Sequence, residues 1–241
     1  MRCDPSILCR FENVRLVCRL VVLVGIALAI ERAEAEPGET GGSDARRASN
    51  DEFAGDALGP AWEWRGKPQA EWFSLAERPG WLRLNRVALH EGGSLWNAQN
   101  LLLRKFPRAA FTATMKMDVS GLGKPQRAGL VVFGVEYAAL GVYRDGAGHR
   151  QLELGVCHGA DRDKPEWLVR QIDFESDLLW LRVEVSGSGD CHFSYSSDGS
   201  RFTALGESFH APVDPKVGLF CTAAAESGAA GHADFEFFRV E

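Results

Sequence analysis

The chain contains 241 residues, of which 45% are hydrophobic, and its 33 acidic residues outnumber its 27 basic ones, for a formal net charge of −6. This acidic balance argues against nucleic acid as a partner, because phosphate backbones attract basic surfaces. The length fits one large domain with a short N-terminal extension better than two small domains.

The first 35 residues have the pattern of a secretory signal peptide. An apolar run spans residues 20–30, and Ala33-Glu34-Ala35 then provides small residues at the positions that a signal peptidase recognises. Four arginines precede the run: Arg2, Arg10, Arg15 and Arg19. The run of 11 residues is too short to cross a bilayer, which takes ~20. We therefore predict a signal peptide over residues 1–35, a secreted or periplasmic protein and no stable membrane anchor; an uncleaved signal anchor is the alternative.

A flexible linker is predicted to follow the signal peptide. The composition from residue 36 to residue 49 shifts to Gly, Ser, Glu and Arg, as is typical of a solvated segment. The predicted organisation is therefore a linker over residues 36–50 and one folded domain over residues 51–241.

The periodic segments of this domain alternate apolar with polar residues, which is the pattern of half-buried strands. Examples are residues 81–84, 111–117, 179–185 and 191–195. Residues 130–133 are instead apolar at every position, as in a central strand covered on both faces. Turn signals separate the strands, and Ser197-Asp198-Gly199 predicts a tight hairpin. We predict an all-β sandwich of roughly 12 to 15 strands in two antiparallel sheets.

Three cysteines follow the predicted signal peptide: Cys157, Cys191 and Cys221. Each lies in an apolar, strand-like stretch, so buried free thiols are favoured, although one disulfide among the three is also open. Neither CxxC nor CxxH spacing occurs, and no zinc site is predicted.

A set of short strings then occurs in a particular order along the domain. The strings are DEF at 51–53, LGPAWEW at 58–64, WFSLAERPGWLRL at 72–84, DVSG at 118–121, RAGL at 127–130, YSSDG at 195–199, FTALG at 202–206 and ADFEFFRV at 233–240. The set resembles the C-terminal domain of family 43 glycoside hydrolases, the β-xylosidases and arabinofuranosidases. The resemblance covers essentially all of residues 51–241, and its most specific part is the WxW stretch followed by LxERPGxLRL.

The resemblance implies a concanavalin A-like jelly roll with an accessory role. In that family the hydrolytic carboxylates belong to an N-terminal five-bladed propeller, for which these 241 residues have no room. Some relatives place an aromatic residue at the active-site rim just before a late Val-Gly pair. Here Lys216 precedes Val217-Gly218, which argues against such a role at the rim.

Catalysis by this chain alone would require two carboxylates that face each other across a sugar. The acidic candidates are scattered, and their spacing selects no pair: Glu63, Glu71, Glu77, Glu136, Glu153, Asp173 and Glu184. A GxSxG nucleophile elbow is missing as well. We predict no catalytic residues, no metal and no cofactor, and we retain an autonomous glycoside hydrolase with an unrecognised carboxylate pair as an alternative.

Four of the seven tryptophans lie between residues 62 and 81. Aromatic rings stack on the apolar faces of sugars, and arginine donates paired hydrogen bonds to sugar hydroxyls or carboxylates. The predicted carbohydrate-binding residues are therefore Trp64, Trp72, Trp81 and Arg127. The alternative is that each tryptophan belongs to the core and that Arg127 forms a structural salt bridge with Glu77 or Asp145.

These features predict a secreted, non-catalytic module associated with carbohydrate. The module binds a xylan- or arabinoxylan-type glycan or serves as an accessory to a family 43 glycosidase. Its predicted partners are thus a plant-type polysaccharide or oligosaccharide, or a family 43 catalytic domain. A purely structural domain that docks a separate catalytic subunit is the remaining alternative.

Overall fold

The computed structural model describes residues 50–89, 94–224, 228 and 230–241. The predicted signal peptide and residues 36–49 of the predicted linker lie outside the described residues. Asn50 already belongs to the folded unit, because its Oδ1 accepts a hydrogen bond of 2.7 Å from the backbone N–H of Val240. Within the described part, no helix is long and apolar enough to span a bilayer.

Eight strands form the first sheet: β1 (Glu63–Trp64), β4 (Val87–Ala88), β5 (Leu102–Lys105), β7 (Gln126–Phe133), β8 (Glu136–Arg144), β9 (Arg150–His158), β10 (Trp167–Asp173) and β15 (Lys216–Ala223). Their order is β1-β5-β15-β7-β8-β9-β10, with β4 beside β15. The short β4–β15 pair is parallel, whereas the pairs along this order are antiparallel.

Eight further strands form the second sheet: β2 (Phe73–Ser74), β3 (Leu82–Asn85), β6 (Phe111–Asp118), β11 (Leu178–Val185), β12 (Asp190–Ser196), β13 (Thr203–Ala204), β14 (Phe209–His210) and β16 (His232–Val240). Their antiparallel order is β13-β12-β11-β6-β16-β3-β2, with β14 beside β12. A backbone bridge joins Asp51 to Phe238, so the first described residues pair with the last strand. The 16 strands slightly exceed the predicted number, because several contain only two residues.

The core lies between the two sheets and follows from the alternation of side chains along each strand. In β6, Phe111, Ala113, Met115 and Met117 are buried in this core, and the intervening residues are partly exposed. The predicted fold, an all-β concanavalin A-like sandwich of two antiparallel sheets, is confirmed.

The first sheet is also covered on its outer face. In β7, Leu130 and Val132 face the main core, while Val131 and Phe133 belong to a second apolar cluster on the opposite side. Residues 95–101, which include a 3₁₀ turn at Leu95–Asn97, contribute to this second cluster. The prediction that residues 130–133 form a strand covered on both faces is therefore confirmed.

The loop between β12 and β13 differs from the predicted tight hairpin. Gly199 has a positive φ of 74°, but Asp198 does not, so the primed two-residue turn is absent from this described loop. Asp198 Oδ1 instead accepts backbone hydrogen bonds from Ser200 and Arg201 at 2.8 and 2.9 Å. These bonds hold the pKa of the Asp198 carboxyl well below its usual range.

All three described cysteines, Cys157, Cys191 and Cys221, are free and buried. The interpretation as buried thiols is therefore confirmed, and no disulfide links them. Burial raises the pKa of the Cys191 and Cys221 thiols to about 12. Both thiols are consequently protonated at neutral pH and behave as small apolar residues.

Candidate functional site

A cleft of about 700 Å³ lies where the C-terminal end of β3, strand β4 and the N-terminal end of β16 meet. Asn85 pairs with His232 across the β3–β16 ladder, so both residues reach the cleft from the same edge. Two 3₁₀ turns, at Ala70–Trp72 and Leu95–Asn97, bring further side chains to it. The cleft therefore combines four segments that are distant in the sequence.

The first 3₁₀ turn places polar side chains outward and an indole inward. Its backbone closes through a hydrogen bond of 3.1 Å from the Trp72 N–H to the Gln69 carbonyl. Trp72 is 5% exposed, whereas Gln69 and Glu71 are exposed at the mouth of the cleft. Asn85 Nδ2 donates to the Glu71 carbonyl at 2.9 Å and ties the turn to β3.

Carboxamides dominate the polar lining of the cleft. Four such side chains border it: Gln69, Asn85, Asn97 and Gln99. Each carboxamide can both donate and accept hydrogen bonds, as a sugar hydroxyl also does. The indole of Trp72 borders the same space but is almost fully buried, so the cleft offers a ligand chiefly neutral hydrogen-bonding groups.

Three titratable side chains complete the lining: Glu71, Arg86 and His232. Burial, followed by the nearby charge of Arg83, lowers the pKa of the His232 imidazole. His232 is consequently neutral at pH 7, and Arg86 carries the positive charge of the lining.

A second polar cluster lies on the outer face of the first sheet. Both carboxylate oxygens of Glu166 bind the Arg127 guanidinium, with Nη2 to Oε2 at 3.1 Å. The Tyr137 hydroxyl donates to Glu166 Oε2 at 2.8 Å and accepts from the Leu95 N–H at 3.1 Å. Burial and the charge of Glu166 raise the pKa of Tyr137. This network fastens the segment before β10 to the segment around residue 95.

The outer face of the second sheet carries a different charge network around the buried carboxylate of Asp234. Arg83 Nε donates to Asp234 Oδ1 at 2.7 Å, and Arg78 bridges Asp234 and Asp118 at 3.1 and 2.8 Å. Although burial opposes ionisation, these arginine contacts leave the pKa of Asp234 lowered. Arg78 Cζ also lies 3.7 Å from the ring centroid of Trp81. Arginine therefore covers one face of this indole.

Residues 50–241 match the family described as the β-xylosidase C-terminal concanavalin A-like domain of glycoside hydrolase family 43. The chain belongs to this family. It is 30% identical over 216 residues to a β-xylosidase of Formosa agariphila, an alignment that covers 80% of the chain and 35% of the relative. The family 43 domain thus spans about a third of that relative's length.

Solved structures have the same fold. A bifunctional GH43-CE protein of Bacteroides eggerthii is 26% identical with a TM-score of 0.71, over 80% of this chain and 25% of that one. A GH43 protein of Bacillus licheniformis is 23% identical with a TM-score of 0.68, over 80% of this chain and 39% of that one. In each case this family 43 domain corresponds to less than half of the solved chain.

The predicted binding residues of this family 43 domain do not form one platform. Of Trp64, Trp72, Trp81 and Arg127, Trp72 borders the cleft. Trp64 packs against Trp72 and Phe73, with ring centroids 5.6 and 5.3 Å apart, and contacts the core. Trp81 lies beside Arg78 instead.

The predicted salt bridges of Arg127 with Glu77 or Asp145 are wrong. Arg127 pairs with Glu166, and Glu77 pairs with Arg83. The separation of 39 residues between Arg127 and Glu166 gave no local signal, because the pair forms only when β7 and the segment before β10 meet on the first sheet. Arg127 is thus engaged by a carboxylate of its own chain.

Sequence reasoning missed several residues of the cleft, namely Asn85, Arg86, Asn97, Gln99 and His232. Of the residues predicted to bind carbohydrate, Trp72 lies at this cleft. The missed residues come from the ends of strands and from a turn, where no periodic pattern distinguishes a lining side chain from an ordinary surface one.

Lys216, the residue that departs from the rim aromatic of some relatives, has a local partner. Its Nζ lies 2.9 Å from Glu63 Oε1, which links β15 to β1 across the intervening β5. Among the residues that the structure describes, no group of three or more His, Cys, Asp or Glu is arranged to hold a metal ion.

Glu153 is an acidic side chain whose pKa is raised, as the pKa of a catalytic acid would be. Burial raises the pKa of its carboxyl. The positive charge of Arg127 lowers this pKa, and the negative charge of Glu166 raises it. Glu166, however, is already bound on both oxygens by Arg127. The two carboxylates therefore do not present a free acid and a free base to a common cleft, as glycoside hydrolysis requires.

Proposed function

We propose that this family 43 domain is a secreted, non-catalytic module that binds a xylan- or arabinoxylan-type glycan in the cleft between β3, β4 and β16. The observation that carries the proposal is the convergence of four carboxamides and one indole on a single cleft. The relative named β-xylosidase supports the class of glycan. The apolar run at residues 20–30 and the small residues before position 36 support export.

Three of the four carboxamides of the cleft are available to bind a ligand, whereas Asn85 already donates to the Glu71 carbonyl. Gln69, Asn97 and Gln99 are exposed, and their side chains make no hydrogen bond within the described part of the chain. The cleft volume of about 700 Å³ suits a short oligosaccharide segment, since small-molecule sites occupy roughly 300–1,000 Å³. No hydrogen bond within the described part has to break before these three side chains bind a sugar hydroxyl, so the cost of binding is the displacement of their water and the ordering of their rotamers.

Replacing Gln69 or Asn97 by alanine is expected to weaken glycan binding without destabilising the domain. A hydrogen bond contributes about 0.5–1.5 kcal/mol net, so each variant should lose roughly two- to tenfold in affinity. The measurement is retention on a xylan affinity gel, together with the melting temperature of the same sample. Trp72→Ala is unsuitable, because Trp72 is 5% exposed and its removal would test packing.

Gln171→Ala is the matched control, since Gln171 is an exposed carboxamide on β10, away from the cleft. Its retention on xylan should equal that of the unaltered protein. Equal retention of the Gln69, Asn97 and Gln171 variants, all folded, would remove the cleft as the glycan site.

A second candidate function is docking of a separate family 43 catalytic domain, and the edge strand β10 favours it. Trp167, Leu168 and Val169 are 66%, 53% and 48% exposed, and β10 pairs with β9 on one side of the sheet. An open edge with adjacent apolar side chains is suited to association with another protein surface.

Leu168→Asp combined with Val169→Asp is expected to abolish co-elution with a recombinant family 43 catalytic propeller in size-exclusion chromatography. Charged side chains in the contact would have to be desolvated without a partner. Retention on xylan should be unaffected, because β10 lies away from the cleft. If the unaltered domain does not co-elute with the propeller, docking is excluded. The proposal of glycan binding does not depend on this result.

A further inference from the structure

Arg86 lines the cleft and has no charged partner among the residues that the structure describes. It connects β3 to β4, and its backbone N–H donates to the Gly231 carbonyl at 2.9 Å, which holds this residue against the start of β16. The residue is half-buried. Within the described residues, its guanidinium has neither a hydrogen bond nor an ion pair, although arginine carries five donor N–H groups.

The other groups around the cleft do not neutralise this charge. Glu71, the acidic residue of the lining, is exposed and forms no ion pair with Arg86 within the described part. Asp234, the nearest buried carboxylate along β16, is bound by Arg83 and Arg78. His232 and the four carboxamides are uncharged at neutral pH. A half-buried arginine with no carboxylate partner among the described residues is stabilised by an anion bound from solution.

We propose that Arg86 binds the carboxylate of a uronic acid substituent, so that the preferred ligand is an acidic glycan rather than a neutral one. This inference rests on the proposed function and specifies its substrate class. The planar guanidinium matches a carboxylate through two parallel hydrogen bonds, which are stronger than those between neutral groups. The carboxamides then bind the hydroxyls of the same sugar and its neighbours. Since the whole chain has a net charge of −6, recognition of an acidic glycan depends on this local cation.

Isothermal titration calorimetry of the full chain tests the inference with two ligands. One is a neutral xylo-oligosaccharide, and the other is an oligosaccharide of the same length with one glucuronic acid substituent. The unaltered protein should bind the acidic ligand about tenfold more tightly. Arg86→Gln should abolish this difference, so that the two ligands bind with the same affinity, and Arg86→Lys should retain part of it. Raising the salt concentration should weaken binding of the acidic ligand alone.

Two controls separate the possible failures. Gln69→Ala should weaken the binding of both ligands equally, because it removes a contact to sugar hydroxyls and not to the uronate carboxylate. Inorganic sulfate should compete poorly with the acidic ligand. Effective competition would indicate that Arg86 prefers a sulfate group, as on a sulfated sugar, and would overturn the proposal. Equal binding of the two ligands, unchanged in Arg86→Gln, would overturn the role of Arg86 but leave glycan binding intact. Failure of both ligands to bind would overturn the proposed function itself.

Discussion

Replacement of Glu166 by alanine is expected to lower the free energy of unfolding by about 3–5 kcal/mol, the cost of removing one member of an ion pair that is largely shielded from solvent. The side chains of Glu166 and Arg127 are 16% and 20% exposed. Glu166 also accepts a hydrogen bond from the hydroxyl of Tyr137, and this hydroxyl accepts one from the Leu95 N–H. The variant therefore removes the carboxylate that binds the Arg127 guanidinium and one hydrogen bond of the Tyr137 hydroxyl, and it loosens the segment that supplies Asn97 to the cleft.

Urea denaturation monitored by tryptophan fluorescence measures the loss. The matched control is Glu52→Ala, since Glu52 binds Arg239 through two hydrogen bonds of 2.7 and 2.8 Å at an exposed position. Exposed pairs contribute about 0–1 kcal/mol, so this control should remain close to the unaltered protein. Substituting both Arg127 and Glu166 by apolar residues should recover much of the loss, because no charge is then buried alone. Similar stabilities of the Glu166 and Glu52 variants would contradict a special role for the buried pair.

Replacement of Gly218 by alanine is the second substitution with a large expected effect. Gly218 lies in β15 opposite Leu103 of β5 and Val131 of β7. A Cβ at this position would overlap the Leu102 carbonyl oxygen and come within 2.8 Å of the Leu103 Cα. These are backbone atoms that cannot rotate away, so β15 and β5 must separate. We expect a loss of at least about 3 kcal/mol, at the upper end of overpacking costs.

Gly187→Ala provides the comparison, because nothing lies within 4 Å of a Cβ there. Its free energy of unfolding should stay within roughly 0.5 kcal/mol of the unaltered protein, as for surface substitutions in general. Thermal and urea unfolding of both variants measure the contrast. A Gly218→Ala protein as stable as Gly187→Ala would show that β5 can move away without loss of packing.

Local pattern was sufficient for the strands and the fold. Alternation placed Trp81 and Arg83 on one face of β3 and Leu82 and Leu84 on the other, and the buried residues are Leu82 and Leu84. The exposure of Glu184 in β11 follows the same rule. Such predictions succeed because a strand has a period of two and one buried face, so the identity of each residue reports its side of the sheet.

Pattern was much less informative about the candidate site. The enrichment of tryptophan between residues 62 and 81 predicted a binding platform, yet Trp64 packs on the core and an arginine covers Trp81. An indole has the same sequence signature in a core as at a binding surface. Only the packing of the neighbouring elements distinguishes the two positions.

The amino-acid sequence alone was sufficient to predict the class of fold, several strand segments and the family, because short alternating segments and short ordered strings carry this information. Only tertiary contacts determine which polar side chains share a cleft and which charged group has no partner among the described residues. Arg86 meets Gln69, Asn97 and His232 only because β3 pairs with β16 and two 3₁₀ turns fold against their ends. The pairing of Asn85 with His232 joins residues separated by more than 100 positions, and no local propensity encodes it.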